Sequence, residues 1–152
     1  MSKIFILAVI SCFLVACNKI NVFEKNIAVN NHEWKSNFTP TITFQIDDTA
    51  SAYNLFVVLR HSDAYNFNNL WLKCTVTLPD SSKKSQQYNL PLANNDTGWM
   101  GTGMDDIFET RILIQPQTKF NKPGHYRFML QQVMREDPLK HVLNVGLRIE
   151  KI

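Results

Sequence analysis

Hydrophobic and polar residues alternate with a period of two over most of this chain. "TITFQI" sets Ile42, Phe44 and Ile46 against Thr41, Thr43 and Gln45, the pattern of a strand with one face in a core. "NLWLKCTVTL" repeats it: Leu70, Leu72, Cys74, Val76 and Leu78 alternate with Trp71, Lys73, Thr75 and Thr77. "GHYRFMLQQVM" turns Tyr126, Phe128 and Leu130 inward, and "VGLRIEK" does the same with Val145, Leu147 and Ile149. "YNLFVVLR", Tyr53 to Arg60, is apolar on both faces, which predicts a strand near a sheet centre or under a loop. "DIFETRILIQ" from Asp106 continues the series.

Turn signals separate these runs: Asp47-Asp48, Pro79-Asp80-Ser81-Ser82, Ala93-Asn94-Asn95-Asp96 and Lys122-Pro123-Gly124. The one good helix signal is "DPLKHVLN". There Asp137 can cap, Pro138 suits the first helical position, and Leu139, Val142 and Leu143 share a face, predicting a short helix near 137–144. Seven or eight short strands without strand–helix alternation predict an all-β fold, an antiparallel, jelly-roll-like β-sandwich over residues 38–152. The stretch 17–37 is polar and poorly periodic, and is expected to carry a lipidated N-terminus and tether the domain.

Before that stretch the pattern changes. Lys3 precedes an apolar run of thirteen residues, Ile4 to Ala16, too short for the ~20 residues a membrane-spanning helix needs. A basic start, a short apolar core and a small residue form a secretory signal peptide, residues 1–16. "LVAC", Leu14 to Cys17, has the form of a bacterial lipobox: aliphatic, tolerant, small and cysteine coincide. Cys17 is then the expected lipid attachment, diacylated on sulfur, and two or three acyl chains anchor stably where one is marginal. Asn18, where an aspartate would favour retention in the inner membrane, directs the expectation to the outer membrane, facing the periplasm.

Composition narrows the rest. Cleavage before Cys17 leaves 136 residues, enough for one domain with a real core. Hydrophobic residues are 45% and charged residues 19%, an ordinary globular balance. Without Lys3, fifteen basic residues face thirteen acidic ones; so small an excess, with no basic stripe, argues against nucleic acid as a partner. Cys12 leaves with the signal peptide and Cys17 is consumed by lipid. Cys74 has no partner left for an intramolecular disulfide and is expected to be a buried small hydrophobe.

The search for chemistry is largely negative. His32, His61, His125 and His141 show no metal-ligand spacing and are read as solvated or satisfied. No nucleophile elbow or Cys-His pattern occurs, so no catalytic residue, metal or cofactor is expected. "GWMGTGMDDIFE", Gly98 to Glu109, is the most unusual stretch. Its three glycines free the backbone for positive φ or close approach, but it lacks the lysine and helix of a phosphate loop, which excludes nucleotide. Asp105, Asp106 and Glu109 suit calcium or a loop leading into a strand, with the loop favoured. Trp99 and Met100 form a partner or glycan contact if exposed; a buried Trp99 instead plugs the core. Trp71 is a contact residue if its face is solvated and core if a loop covers it, with core favoured. Arg135, beside Glu136 at a strand end, completes the candidate contact set, an internal ion pair being its plainer reading.

The lipobox, Trp34, "YNLFVVLRHSDAYNFNNLWL", "GWMGTGMDDIFETR", "GHYRFMLQQVMREDPL" and "NVGLRIEK" together resemble the gliding-motility lipoprotein GldH family over nearly the whole mature chain. The resemblance implies a cell-envelope lipoprotein of bacteria with gliding and type IX secretion machinery, non-enzymatic and needed for motility. Its implied partners are the membrane, through lipid on Cys17, and other envelope proteins of that apparatus. Cys17 is the one position that carries a defined chemical role with it. The alternative is an envelope glycan-binding sandwich, which needs two exposed, roughly coplanar aromatic rings. Hydrolysis comes last, for want of an acid and base pair.

Overall fold

The computed structural model describes residues 21–152. The signal peptide, the lipobox and Cys17 lie outside the described residues. In chain order the strands are β1 (Val22–Ala28), β2 (Glu33–Trp34), β3 (Thr41–Ile46), β4 (Tyr53–Ser62), β5 (Asn69–Thr77), β6 (Lys83–Pro91), β7 (Ala93–Asn94), β8 (Gly98–Trp99), β9 (Thr102–Met104), β10 (Ile107–Thr118), β11 (Gly124–Gln132), β12 (Leu139–Lys140) and β13 (Val142–Lys151). Two antiparallel sheets carry the fold, one ordered β1-β13-β4-β10-β9 and the other β3-β11-β5-β6.

The alternation seen in the sequence sorts side chains between the sheets' inner and outer faces. Leu55, Val57 and Leu59 of β4 and Val145, Leu147 and Ile149 of β13 join Ile42, Leu72, Phe128 and Leu130 of the opposite sheet in one buried cluster. This is the shared core of a sandwich, the fold class expected. β4, apolar on both faces, is the third of five strands, near the sheet centre as predicted. Its outward Val58 is 2% exposed. Arg111 lies beside Val58 and Gly146 in the register yet reaches Glu24 on β1, so its side chain crosses that face. Partial burial works against it, but hydrogen bonds from Arg111 and Arg148 hold the Glu24 carboxyl down at about 2.

Two expectations are corrected. Residues 22–37 are not free chain. β1 pairs with β13 from Val22↔Glu150 to Ala28↔Asn144, and Trp34 is fully buried with β2 paired to β12. Nor is there a helix at 137–144. Asp137 caps nothing of its own; its carboxylate accepts from the backbone and hydroxyl of Ser36. Leu139 and Lys140 pair with Trp34 and Glu33, His141 turns at φ 67, and Val142 begins β13. Long-range pairing thus outweighs a local helix signal only a few residues long.

The strand count is also higher than expected, for an informative reason. Among the described residues, eight strands have six or more residues and cross the sandwich lengthwise; the other five have two or three. Successive long crossings alternate in direction. One end therefore carries Asn21, Ile152 and the turns 47–52, 78–82 and 119–123, drawn together by Lys151 N–H donating to Asn21 O at 2.8 Å and Ile152 N–H to Ala52 O at 2.9 Å. The far end carries the connections 29–40, 63–68, 92–106 and 133–141, and all five short strands fall within or beside them.

Candidate functional site

The far end holds the candidate contact residues. Trp71 is an outward residue of β5, beside Asn69 and Lys73, and 43% of it is exposed. The expectation that a loop covers it fails. The segment after β11 runs past its backbone instead: Val133 N–H donates to Trp71 O at 3.0 Å, and Trp71 N–H donates to Met134 Sδ at 3.1 Å. The indole is left as one wall of an open groove of about 520 Å³ shared with Phe67, Gln87, Met134 and Arg135.

Arg135 is exposed, and among the described residues it enters no ion pair. Its expected partner Glu136 accepts from Lys140 N–H at 3.2 Å instead. Gln132, fully buried, fixes this segment: its Oε1 accepts from Met134 N–H at 2.8 Å while its Nε2 donates to Trp34 O at 3.2 Å. A buried amide satisfied on both sides is a rigid bracket. Strand periodicity marks Gln132 only as one more inward position, so its role is invisible without the long-range partner.

Trp99 takes the other outcome. It is half-buried, with ring centroids 4.6 Å from His61, 6.1 Å from Phe108 and 6.3 Å from Tyr65, tilted by 40° or more to each. Phe67, which lines the groove, lies 5.8 Å from Tyr65, so the aromatic cluster around Trp99 reaches the groove through Tyr65 and Phe67. His61 is fully buried within that cluster. Its Nδ1 bonds Ser62 O at 2.8 Å and so carries the proton, which leaves Nε2 without a partner. Burial depresses its pKa, opposed by that hydrogen bond. The expectation of four satisfied or solvated histidines fails at this one.

The glycine-rich stretch behaves as its composition implies. At Gly101, φ is 88 and a Cβ would stand 2.2 Å from Glu109 O. This close turn sets Met100 outward, 38% exposed, and β9 beyond it ends on Met104, 76% exposed. Asp105 turns the hairpin at φ 54, Asp106 O accepts from Asp63 N–H at 2.7 Å, and Glu109 pairs with Arg111 at 2.9 Å. Asp105 and Asp106 thus act here through their backbones and Glu109 through a surface ion pair, and among the described residues no group of three or more His, Cys, Asp or Glu comes together. Cys74 is buried as expected, and burial pushes its thiol up to about 12.

Fold and surface together define a small antiparallel β-sandwich domain whose exposed apolar side chains gather at one elaborated end. Of the seven large apolar residues that are exposed among the described residues, Phe38, Trp71, Met100 and Met104 are there. The chain belongs to the GldH lipoprotein family, whose family model matches residues 21–149. It is 32% identical to the gliding motility lipoprotein GldH of Flavobacterium johnsoniae, over 96% of this chain and 94% of that one. A gliding motility lipoprotein GldH homolog of Christiangramia forsetii is 27% identical over 90% and 87%. Among solved structures, the VP2 subviral particle of infectious bursal disease virus is similar at a TM-score of 0.40 and 14% identity, over 86% of this chain and 32% of that one. The structure of the infectious bursal disease virus Gx strain gives 0.39 and 13%, over 86% of this chain and 32% of that one. Likeness at that level carries no argument.

Proposed function

We propose that this chain is an envelope lipoprotein, anchored through acyl groups on Cys17 at the periplasmic face of the outer membrane, that serves gliding motility as a non-enzymatic contact module for the gliding and type IX secretion apparatus. The observation that carries the reading is the asymmetry of the two ends. Turns at the end bearing Asn21 are short, whereas three of the four opposite connections, 29–40, 92–106 and 133–141, are long and pinned by two- and three-residue ladders, and exposed Phe38, Trp71, Met100 and Met104 lie in or beside the connections of that end. Long connections kept ordered in this way are characteristic of binding surfaces. Exposed aromatic and methionine side chains beside a free arginine are the composition of contact hot spots.

Anchor and surface are tested separately. Cys17→Ala should abolish acyl labelling and release the protein from membranes; a labelled, membrane-bound variant would remove the anchor. Photo-crosslinking amino acids at Trp71, Met104 or Arg135 should capture a protein of the gliding or secretion apparatus in whole cells, while the same probe at Thr49 or Lys83 should not. Equal capture from both ends, or none alongside normal motility in a deletion strain, defeats the reading.

Glycan binding keeps one supporting observation, the exposed Trp71 ring set among Asn69, Gln87 and Arg135. It has lost its second ring, because Trp99 is half-buried in tilted contacts. Quenching of Trp71 fluorescence by envelope oligosaccharides, removed by Trp71→Phe, would restore it.

A further inference from the structure

At the end bearing Asn21 the sandwich is open along one edge. β6 is the outer strand of its sheet, and its inward positions run Leu90, Tyr88, Gln86, Lys84, opposite Leu70, Leu72, Cys74 and Val76 of β5. The strand begins by offering the core edge an ammonium and an amide and ends by sealing it. On the facing sheet β10 loses register with β4 after Leu113 and again after Gln115, next to Pro116, and Gln117 has a φ of 48. Gln115 Nε2 donates to the Tyr88 hydroxyl at 2.8 Å and bridges the two sheets. A slot of about 260 Å³ reaches from this edge to Leu55, Cys74 and Phe128. Through Val76, Lys84, Gln115 and Phe128, which line both, it joins a cleft of about 510 Å³ floored by Leu78 and Phe120.

We propose that this slot and cleft bind an anionic amphiphile, an acyl chain whose head carries a carboxylate or phosphate. The cleft alone is within the ~300–1,000 Å³ of small-molecule sites, which combine an apolar lining with a few placed polar groups. The apolar floor suits an alkyl chain. The rim fixes the charge of the head: Lys84 and Lys119 are exposed on opposite walls and enter no ion pair among the described residues, whereas Lys122 is neutralised by Asp80 at 2.5 Å. Inward lysines on an edge strand also guard against strand addition. That duty accounts for Lys84, but not for Lys119 on the other wall or for core side chains left open to the edge. The inference does not depend on the contact surface at the far end.

Cys74 supplies the readout, since it lines the slot and is the remaining thiol in a mature chain carrying Cys17→Ser. Decanoate should slow alkylation of Cys74 and bind with one site, while decanol should be markedly weaker. Losing one charged partner is worth about tenfold in affinity, so Lys84→Ala and Lys119→Ala should each weaken decanoate by about that factor and leave decanol unchanged, with unaltered melting temperatures. Vesicles of phosphatidylcholine with and without phosphatidylglycerol separate the sources: protection by the anionic vesicles assigns a bilayer lipid, and protection by free decanoate a soluble amphiphile. Protection by neither, or equal affinity for decanoate and decanol, overturns the proposal.

Discussion

Trp34 is the most direct test of where the folded domain begins. It lies in a stretch that reads as tether, yet it heads the fully buried side chains by size. Its indole Nε1–H donates to Phe38 O at 2.9 Å, and its own carbonyl accepts from Gln132. Trp34→Ala removes a complete indole from a packed interior, which costs about 3–5 kcal/mol in comparable cores. The whole stability of a domain this size is only ~5–15 kcal/mol. With a urea slope of ~1–3 kcal/mol per molar, the unfolding midpoint should fall by roughly 2 M. Trp34→Phe separates the contributions. It keeps most of the ring and gives up the hydrogen bond, whose carbonyl acceptor belongs to the exposed Phe38 and can take up water, so the loss should be about 1 kcal/mol. The measurement is urea denaturation of the mature chain followed by circular dichroism. A Trp34→Ala midpoint within the ~0.5 kcal/mol of an ordinary surface substitution would refute the placement of residues 22–37 in the fold.

The packing sets three further outcomes. A Cβ at Gly146 would stand 1.9 Å from Asn26 Oδ1 and 2.5 Å from Lys25 O, so Gly146→Ala must push β1 off β13; overpacking of this kind costs ~1–3 kcal/mol, and amide exchange in Val22–Ala28 should quicken before the rest. His61 has a folded-state pKa below its ordinary 6.5, so the unfolded chain binds the proton more readily. Stability is then full above pH 6.5 and declines as the pH falls from there toward the depressed folded value, by up to ~1.4 kcal/mol per unit; His61→Phe should flatten that slope between pH 7.5 and 5.5, and an unchanged slope would assign it elsewhere. Trp71→Ala should change the unfolding free energy by no more than ~0.5 kcal/mol while abolishing capture from Arg135; a large stability loss would mean that the ring is structural.

Strands whose two faces differ in polarity were legible from sequence, and those that lack this contrast were not. β3, β5, β11 and β13 were read with their inward residues correct because each buries one face of a shared core. β6 is a full-length strand, but its first five residues are exposed on both faces, so no alternation marks it. β1 is apolar only at its ends, Val22 and Ala28, and at Phe23 and Ile27, a spacing that favours neither period; it is held by pairing with β13, more than a hundred positions away. The contact residues were partly legible. Composition singled out Trp71, Met100 and Arg135, and only tertiary placement could separate exposed Trp71 from half-buried Trp99. His61, Gln132, Phe67 and Met134 went unsingled, since each matters through partners distant in sequence.

The even number of long crossings gives the molecule its direction. With eight lengthwise strands among the described residues, Asn21 and Ile152 share one end, and the three longest connections, 29–40, 92–106 and 133–141, lie at the other. Asn21 is four residue steps from Cys17, a reach of at most roughly 13–15 Å, so an anchor on Cys17 would hold that end close to the bilayer. β4, with ten residues, spans about 33 Å at the usual strand rise. Under the proposed anchoring, Trp71 and Met104 would stand that much further from the lipid surface, beyond the headgroups and within reach of proteins rather than of membrane. The Lys84 and Lys119 cleft would face the lipid instead. Without the β6 crossing, the connection 92–106 and Met104 with it would have fallen at the end bearing Asn21, so a strand that no alternation marks decides where this part of the contact surface lies.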